Sequence, residues 1–188
     1  MGRLASALLA TASASPRPMF VFDLDACCWL PEMYQLWGDG PPFSRTDDPS
    51  TLRTGSGRPV RLLGDTRAVW RELHEAGAVV GVASRSDEPD WARTCLKLFT
   101  VDESTTMWDV AGNGKLVQIR KGSKQGHLRD LSRDSGVPLG RMVFFDDDPH
   151  NVADVSRLGV TCVLTPKGVT WAKVEEGLGL YARNGARA

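Results

Sequence analysis

Cysteine, histidine and tyrosine are scarce in this chain of 188 residues, at four, three and two. Cys27, Cys28, Cys95 and Cys162 show no CxxC spacing and no partnered histidines, which excludes a zinc site of familiar spacing and a disulfide framework. A reducing compartment fits such cysteine usage. The adjacent Cys27 and Cys28 sit in an apolar setting and read as buried small side chains rather than a redox pair. No apolar run approaches the roughly 18 to 20 residues of a membrane helix, so a soluble chain with no membrane partner is expected. Neither sign of charge is in excess. Lys plus Arg and Asp plus Glu stand at 23 each, which removes the electrostatic footprint of a nucleic-acid binder. Any anion must therefore meet a local site.

What is present is a globular composition, 41% hydrophobic and 24% charged, in a length that suits one domain with short appendages. Residues 1–18 are rich in Ala and Ser, with two arginines and no acid. They read as a disordered tail, with an organelle presequence as the alternative, so the location expected is cytoplasmic unless that segment directs import. Residues 19–180 form the expected domain and residues 181–188 a C-terminal tail.

Short apolar runs recur at Met19–Phe22, residues 78–83, residues 142–145 and Thr161–Leu164, three of them ending at a polar residue, and read as buried parallel strands. Helical periodicity lies between them. Helices are predicted over 65–75 behind an Asp cap, 87–98, Lys124–Ser135, 149–158 and 169–178. Alternation of this kind predicts an α/β fold, a mainly parallel sheet with helices on both faces. Residues 29–63 break the pattern with Pro, Gly, Asp and Ser clusters. They read as a flap carrying a hairpin, Thr51-Leu52 against residues 60–62 across Gly55-Ser56-Gly57. A second loop insertion, with a turn at Gly112-Asn113-Gly114, is expected between residues 100 and 119. No internal repeat is visible.

Ligands of open α/β sheets bind outside the carboxyl ends of the strands, so the residues just past each run are the ones to collect. They are Asp23 and Asp25 (DLD), Ser84 (VASRS), Lys124 at a helix start (GSK), and Asp146, Asp147 and Asp148 (FFDDD). Carboxylates gathered at one edge repel one another unless a hard cation neutralises them, which implies Mg²⁺. A carboxylate such as Asp23 can then attack phosphorus, and Asp25 can protonate the leaving alcohol and afterwards deprotonate water. Ser84 and the backbone N–H groups beside it can bind phosphate oxygens, while Lys124 supplies a compact cation for the transferring group. Singly each of these is weak: a DxD is common, a Ser often caps a helix, and an acidic triplet is often a solvated turn.

In this order the motifs resemble the haloacid dehalogenase superfamily, and within it the magnesium-dependent phosphatase 1 family. The resemblance spans about residues 19–180 and rests on FVFDLDACCW, the GPPF after it, VASRS, GSKQGHL and MVFFDDDPHNVADVSRLGVTCV. It implies a Rossmann-like three-layer α/β/α fold with a minimal cap. It also implies Asp23 as nucleophile, Asp25 as acid/base and metal ligand through its carbonyl, Ser84 and Lys124 as phosphate binders, with Arg85 as a helper. Asp147 would be the direct acidic metal ligand and Asp146 would assist through water or by orienting neighbours, whereas Asp148 is not expected to ligate. The implied activity is that of a phosphatase acting on phosphotyrosine in proteins, as a protein tyrosine phosphatase does, or on small sugar phosphates. Two departures stand out. Cys27 replaces the Thr of the family's DxDxT motif, a weaker donor in the catalytic loop, and residues 101–120 are longer and more polar than the family's link, which bears on the substrate-side wall.

Three rivals remain. A receiver domain places its phosphorylated Asp after the third strand, against the order here; a carbon–halogen hydrolase would need no Asp25; and a catalytically weak phosphate-binding or scaffold protein draws on Cys27. His74, His127 and His150 have no ligand-spaced partner and read as surface or helix-start packing. Trp70, Trp91 and Trp171 fit helix faces, whereas Trp29 and Trp37, on the flap, are candidates for the substrate entrance.

Overall fold

The computed structural model describes residues 17–185. The expectations for residues 1–16 and 186–188 lie outside the described residues. Strand β1 (Met19–Phe22) is buried on both faces, and its side chains alternate between two cores. Phe20 and Phe22 join one apolar cluster, Met19 and Val21 the other. Strand β8 (Met142–Asp146) divides in the same way, with Val143 and Phe145 in the first cluster and Met142 and Phe144 in the second. Continuous apolar runs make sense only where helices cover both faces.

They do. The first core takes Val69, Trp70 and Leu73 from α1 (Thr66–Glu75) and Ala92, Cys95 and Leu96 from α2 (Pro89–Leu98). It also takes Val174, Leu178 and Tyr181 from α6 (Trp171–Gly185). Leu128 and Leu131 of α4 (Lys124–Ser135) and Val155 of α5 (Pro149–Ser156) fill the second. Burying each large side chain contributes roughly 1.5–3 kcal/mol. Helix α6 lies close on the sheet because Gly177 faces it: a Cβ there would come within 2.9 Å of Val143 Cγ1.

Five parallel strands run in the order β7-β6-β1-β8-β9, with β6 at Val80–Ser84, β7 at Val117–Ile119 and β9 at Thr161–Leu164. Phe22 pairs with Val82 on one side and with Phe145 on the other. From β1 the chain moves outward through β6 and β7, then returns to the opposite side of β1 for β8. The crevice at that switch opens beyond the carboxyl ends of β1 and β8.

The flap is more regular than its composition suggests. The expected hairpin forms from β4 (Thr51–Arg53) and β5 (Pro59–Leu62), with Leu52 opposite Val60. Strands β2 (Trp29–Leu30) and β3 (Ser44–Arg45) widen it to an antiparallel sheet of order β2-β5-β4-β3. Two-residue strands carry no readable period. The region expected as a second loop insertion is corrected further: it holds a helical turn, α3 (Met107–Val110), and strand β7 of the main sheet. Thr106 and Asp109 cap that turn reciprocally, and Gly112, Asn113 and Gly114 all have positive φ at the expected turn. Asp65 does not cap its own helix; its Oδ2 accepts the Trp171 N–H at 3.0 Å and so anchors α6. Helix α6 itself runs to Gly185, past the end expected near residue 178, because Tyr181 extends its buried stripe. Among the described residues no helix is long and apolar enough to cross a membrane.

Candidate active site

The parallel register decides which polar side chains meet. Phe22 and Phe145 are paired, so the residues that follow them, Asp23 and Asp146, emerge side by side at the carboxyl edge. Lys124, the first residue of α4 behind the Ser123 cap, reaches between them. Its Nζ lies 2.7 Å from Asp23 Oδ1 and 2.9 Å from Asp146 Oδ2, and donates to the Ala83 carbonyl at 2.7 Å. The Ala83 contact is a hydrogen bond and the two carboxylate contacts are ion pairs. Burial works against the Lys124 charge, but Asp23 and Asp146 outweigh it and hold the ammonium pKa above its ordinary value.

Asp147 stands at the mouth of this pair. One carboxylate oxygen from each of Asp23, Asp146 and Asp147 falls within 4.8 Å of the others. Burial, then Asp23 and Asp146, push the Asp147 carboxyl up to about 7. Burial likewise raises Asp23 against the pull of Lys124, and burial and then Asp23 raise Asp146. Three carboxylates around one ammonium leave two negative charges uncompensated in a poorly solvated place. The donor set is all hard oxygen, and oxygens around an octahedral ion at about 2.1 Å from the metal lie roughly 3–4 Å apart. The residues present therefore fit Mg²⁺.

Asp25, two residues beyond Asp23, lies across a cleft of about 230 Å³ whose walls also include Glu32, Tyr34, Ser84, Arg85 and Asn151. Its Oδ1 accepts the Trp29 indole N–H at 2.8 Å and the Met33 backbone N–H at 3.3 Å. Burial raises its pKa, and hydrogen bonds from Ser86, Trp29 and Met33 draw it partly back. Ser84, at the end of β6, is buried at the cleft wall, and its Oγ accepts the Ser86 N–H at 3.2 Å. Arg85 reaches Asn151 Oδ1 at 3.5 Å. Asp148 borders the cleft, and its Oδ1 accepts the His150 N–H at 2.8 Å and caps α5.

Cys27 lies behind the cleft. Its buried Sγ donates toward the Phe145 carbonyl at 3.6 Å and sits 3.3 Å from Thr165 Oγ1. Burial pushes its thiol pKa well up, so it stays protonated. It ties the loop after β1 to the ends of β8 and β9, a positioning task that a thiol performs more weakly than a hydroxyl.

Two expectations need correction. Trp29 does not line the entrance; it is wholly buried, stacks on Phe99 with centroids 5.9 Å apart, and holds Asp25 from behind. The aromatic in the cleft wall is Tyr34, against whose edge Trp37 packs at 6.2 Å. Residues 101–120 supply none of the cleft wall; they meet the site from behind, where Ile119 pairs with Ser84 and the Arg120 N–H donates to the Ser84 carbonyl at 3.2 Å. Sequence reasoning also missed Asn151, whose Nδ2 donates to both Asp146 oxygens at 3.1 and 3.2 Å. Its signal was an Asn in the first turn of the helix directly after the acidic triplet. His127 is packed at the start of α4, and burial drives its pKa down to about 4, so it stands neutral.

A parallel sheet with this switch point and an Asp–Lys–Asp cluster at its carboxyl edge is the arrangement of the haloacid dehalogenase fold. Solved structures agree on that fold. The N-terminal, phosphatase-domain part of protein BF1531 from Bacteroides fragilis, crystallised with Mg, has a TM-score of 0.56 at 18% identity. That match covers 95% of this chain and 42% of the other. A HAD family enzyme from Bacteroides thetaiotaomicron, crystallised with magnesium and inorganic phosphate, scores 0.51 at 12% identity, covering 85% and 99%. The chain belongs to the acid phosphatase family, whose profile matches residues 16–184. It is 34% identical over 166 residues to magnesium-dependent phosphatase 1 of Homo sapiens, covering 87% of this chain and 86% of that relative.

Proposed function

We propose that the protein is a Mg²⁺-dependent phosphomonoester hydrolase working through an aspartyl-phosphate on Asp23, with phosphotyrosine in proteins or small sugar phosphates as substrates. The observation that carries this is the Asp23–Lys124–Asp146 ion cluster, with Asp147 beside it, at the floor of an open cleft. Asp23 attacks phosphorus with one carboxylate oxygen while Lys124 holds the other and offsets charge on the transferring phosphoryl group. Ser84, assisted by Arg85, receives the phosphoryl oxygens. Asp25 gives its proton to the departing ester oxygen, then takes one from the water that cleaves the acyl phosphate. Asp23, Asp147 and the Asp25 carbonyl, with Asp146 assisting, would hold Mg²⁺, which would supply positive charge against that of the phosphoryl group and the carboxylates. Among the described residues no cap larger than the flap covers the cleft, which suits a substrate presented on a protein surface as well as a free sugar phosphate.

The rival, a phosphate-binding protein without turnover, rests on Cys27, whose thiol faces Phe145 and Thr165 rather than the cleft. Purified protein should hydrolyse p-nitrophenyl phosphate with Mg²⁺, lose that activity in EDTA, and recover it on adding the metal back. Phosphate binding without metal-dependent turnover would award the case to the rival.

A further inference from the structure

The acid/base carboxylate is held from the flap as well as from the main sheet, where Ser86 just past β6 also bonds it. Asp25 Oδ1 accepts two hydrogen bonds, one from the Trp29 indole and one from the Met33 backbone, and both donors belong to the segment that begins the flap. An indole N–H only donates, so Trp29 can bond the carboxyl on an acceptor oxygen and cannot compete for its proton. The indole is itself immobile: it is fully buried, stacked on Phe99, and its backbone pairs with Leu62 of β5.

Building on the phosphatase reading above, we propose that Trp29 is a positioning residue for the acid/base step. It occupies Asp25 Oδ1, so that Oδ2 carries the exchangeable proton toward the ester oxygen that leaves. The proton passes from Oδ2 to that oxygen as the P–O bond breaks, and a proton from the attacking water restores it in the second displacement. Trp29 gives up no proton at any point. The flap sheet thereby takes part in catalysis without touching substrate.

The test uses the leaving group. Departure of 2,4-dinitrophenolate needs no protonation, whereas an alkoxide must be protonated as it leaves. Trp29→Phe, which removes the donor and keeps an aromatic ring, should lower kcat/KM for glycerol phosphate about a hundredfold, the scale of a misplaced catalytic group. The same variant should change kcat/KM for 2,4-dinitrophenyl phosphate by less than about threefold, which steepens the dependence on leaving-group pKa. If Trp29→Phe fails to fold, 3-benzothienylalanine at position 29, with sulfur in place of the indole N–H, keeps the shape and poses the same question. An equal fall on both esters, or no fall on either, overturns the positioning role and leaves the phosphatase reading standing. A wild type that turns over neither ester overturns both.

Discussion

The carboxyl edge of the main sheet and the flap above it face the same cleft and are built in opposite ways. At the edge, Lys124 and Asp146 are 2% and 0% exposed, and the ion pairs that join them to Asp23 are part of the buried scaffold. On the flap, Tyr34 and Trp37 are 41% and 63% exposed. The flap's apolar side, with Trp29, Met33, Leu36, Leu52 and Val60, packs into the first core, and exposed bonds tie only its rim: Trp37 Nε1 to Glu88 at 2.7 Å, and Arg45 Nε to the Leu98 carbonyl at 2.9 Å. Exposed polar contacts of this kind contribute little stability. The difference teaches a division of labour. Groups that need perturbed charge are fixed where water is excluded, and groups that meet variable leaving groups sit where rearrangement costs little.

That comparison can be broken most sharply at Asp23. Asp23→Asn should reduce kcat about a thousandfold or more on every phosphate ester tested, as removal of a nucleophile does. The loss should be uniform across aryl, alkyl and sugar esters in steady-state assays. Turnover surviving on one class would mean that the edge does not own the chemistry.

The second prediction concerns the edge alone and reads stability. Asp147 has its carboxyl raised to about 7 in the metal-free protein, above its ordinary 3.8. The folded state therefore binds its proton more tightly than the unfolded chain does, so this stabilisation is complete below about pH 4 and is lost as pH rises through 7. Mg²⁺ held by Asp147, as proposed, would have to displace that proton. At a hundredfold excess over Kd it should stabilise the protein by about 2–3 kcal/mol at a given pH. Because Mg²⁺ competes with that proton, its Kd and hence the thermal shift at one fixed Mg²⁺ concentration should be more favourable at pH 8 than at pH 5.5. A shift of equal size at both, read by thermal melts with and without EDTA, would contradict the acidic cluster as the metal site.

The smallest effect belongs to the flap. Tyr34→Ala removes the aromatic wall of the cleft and should change the ratio of kcat/KM between phosphotyrosine and a sugar phosphate by about tenfold or less, the worth of one aromatic contact. The unfolding midpoint should stay in place. A uniform loss across substrates would dissolve the distinction between edge and flap.

Most of the edge was legible beforehand because each of its residues follows an apolar run, and parallel sheets gather such residues. Asp23, Asp146, Asp147, Ser84 and Lys124 all converge where the runs predicted. Strand β7 was not legible, since Val117-Gln118-Ile119 is too short to show a period, and its place in the sheet is decided by pairing with β6. Its place on the flap just past Asp23 makes Trp29 a candidate for the entrance, and the order of residues does not say which way the indole turns. In the fold, the pairing of Trp29 with Leu62 turns the indole inward instead.

By itself the amino-acid order determined the alternation of strands and helices, the acidic and basic residues at the strand ends, and the family to which they are similar, because these depend on local hydrophobic period and on short motifs. Only the tertiary structure decided that Lys124 bridges Asp23 and Asp146, that Asn151 braces Asp146, and that the flap holds Asp25 through Trp29. Those contacts join residues brought together by sheet register and burial, and hydrogen bonds a few ångströms long form only once the packed core has set the distances between them.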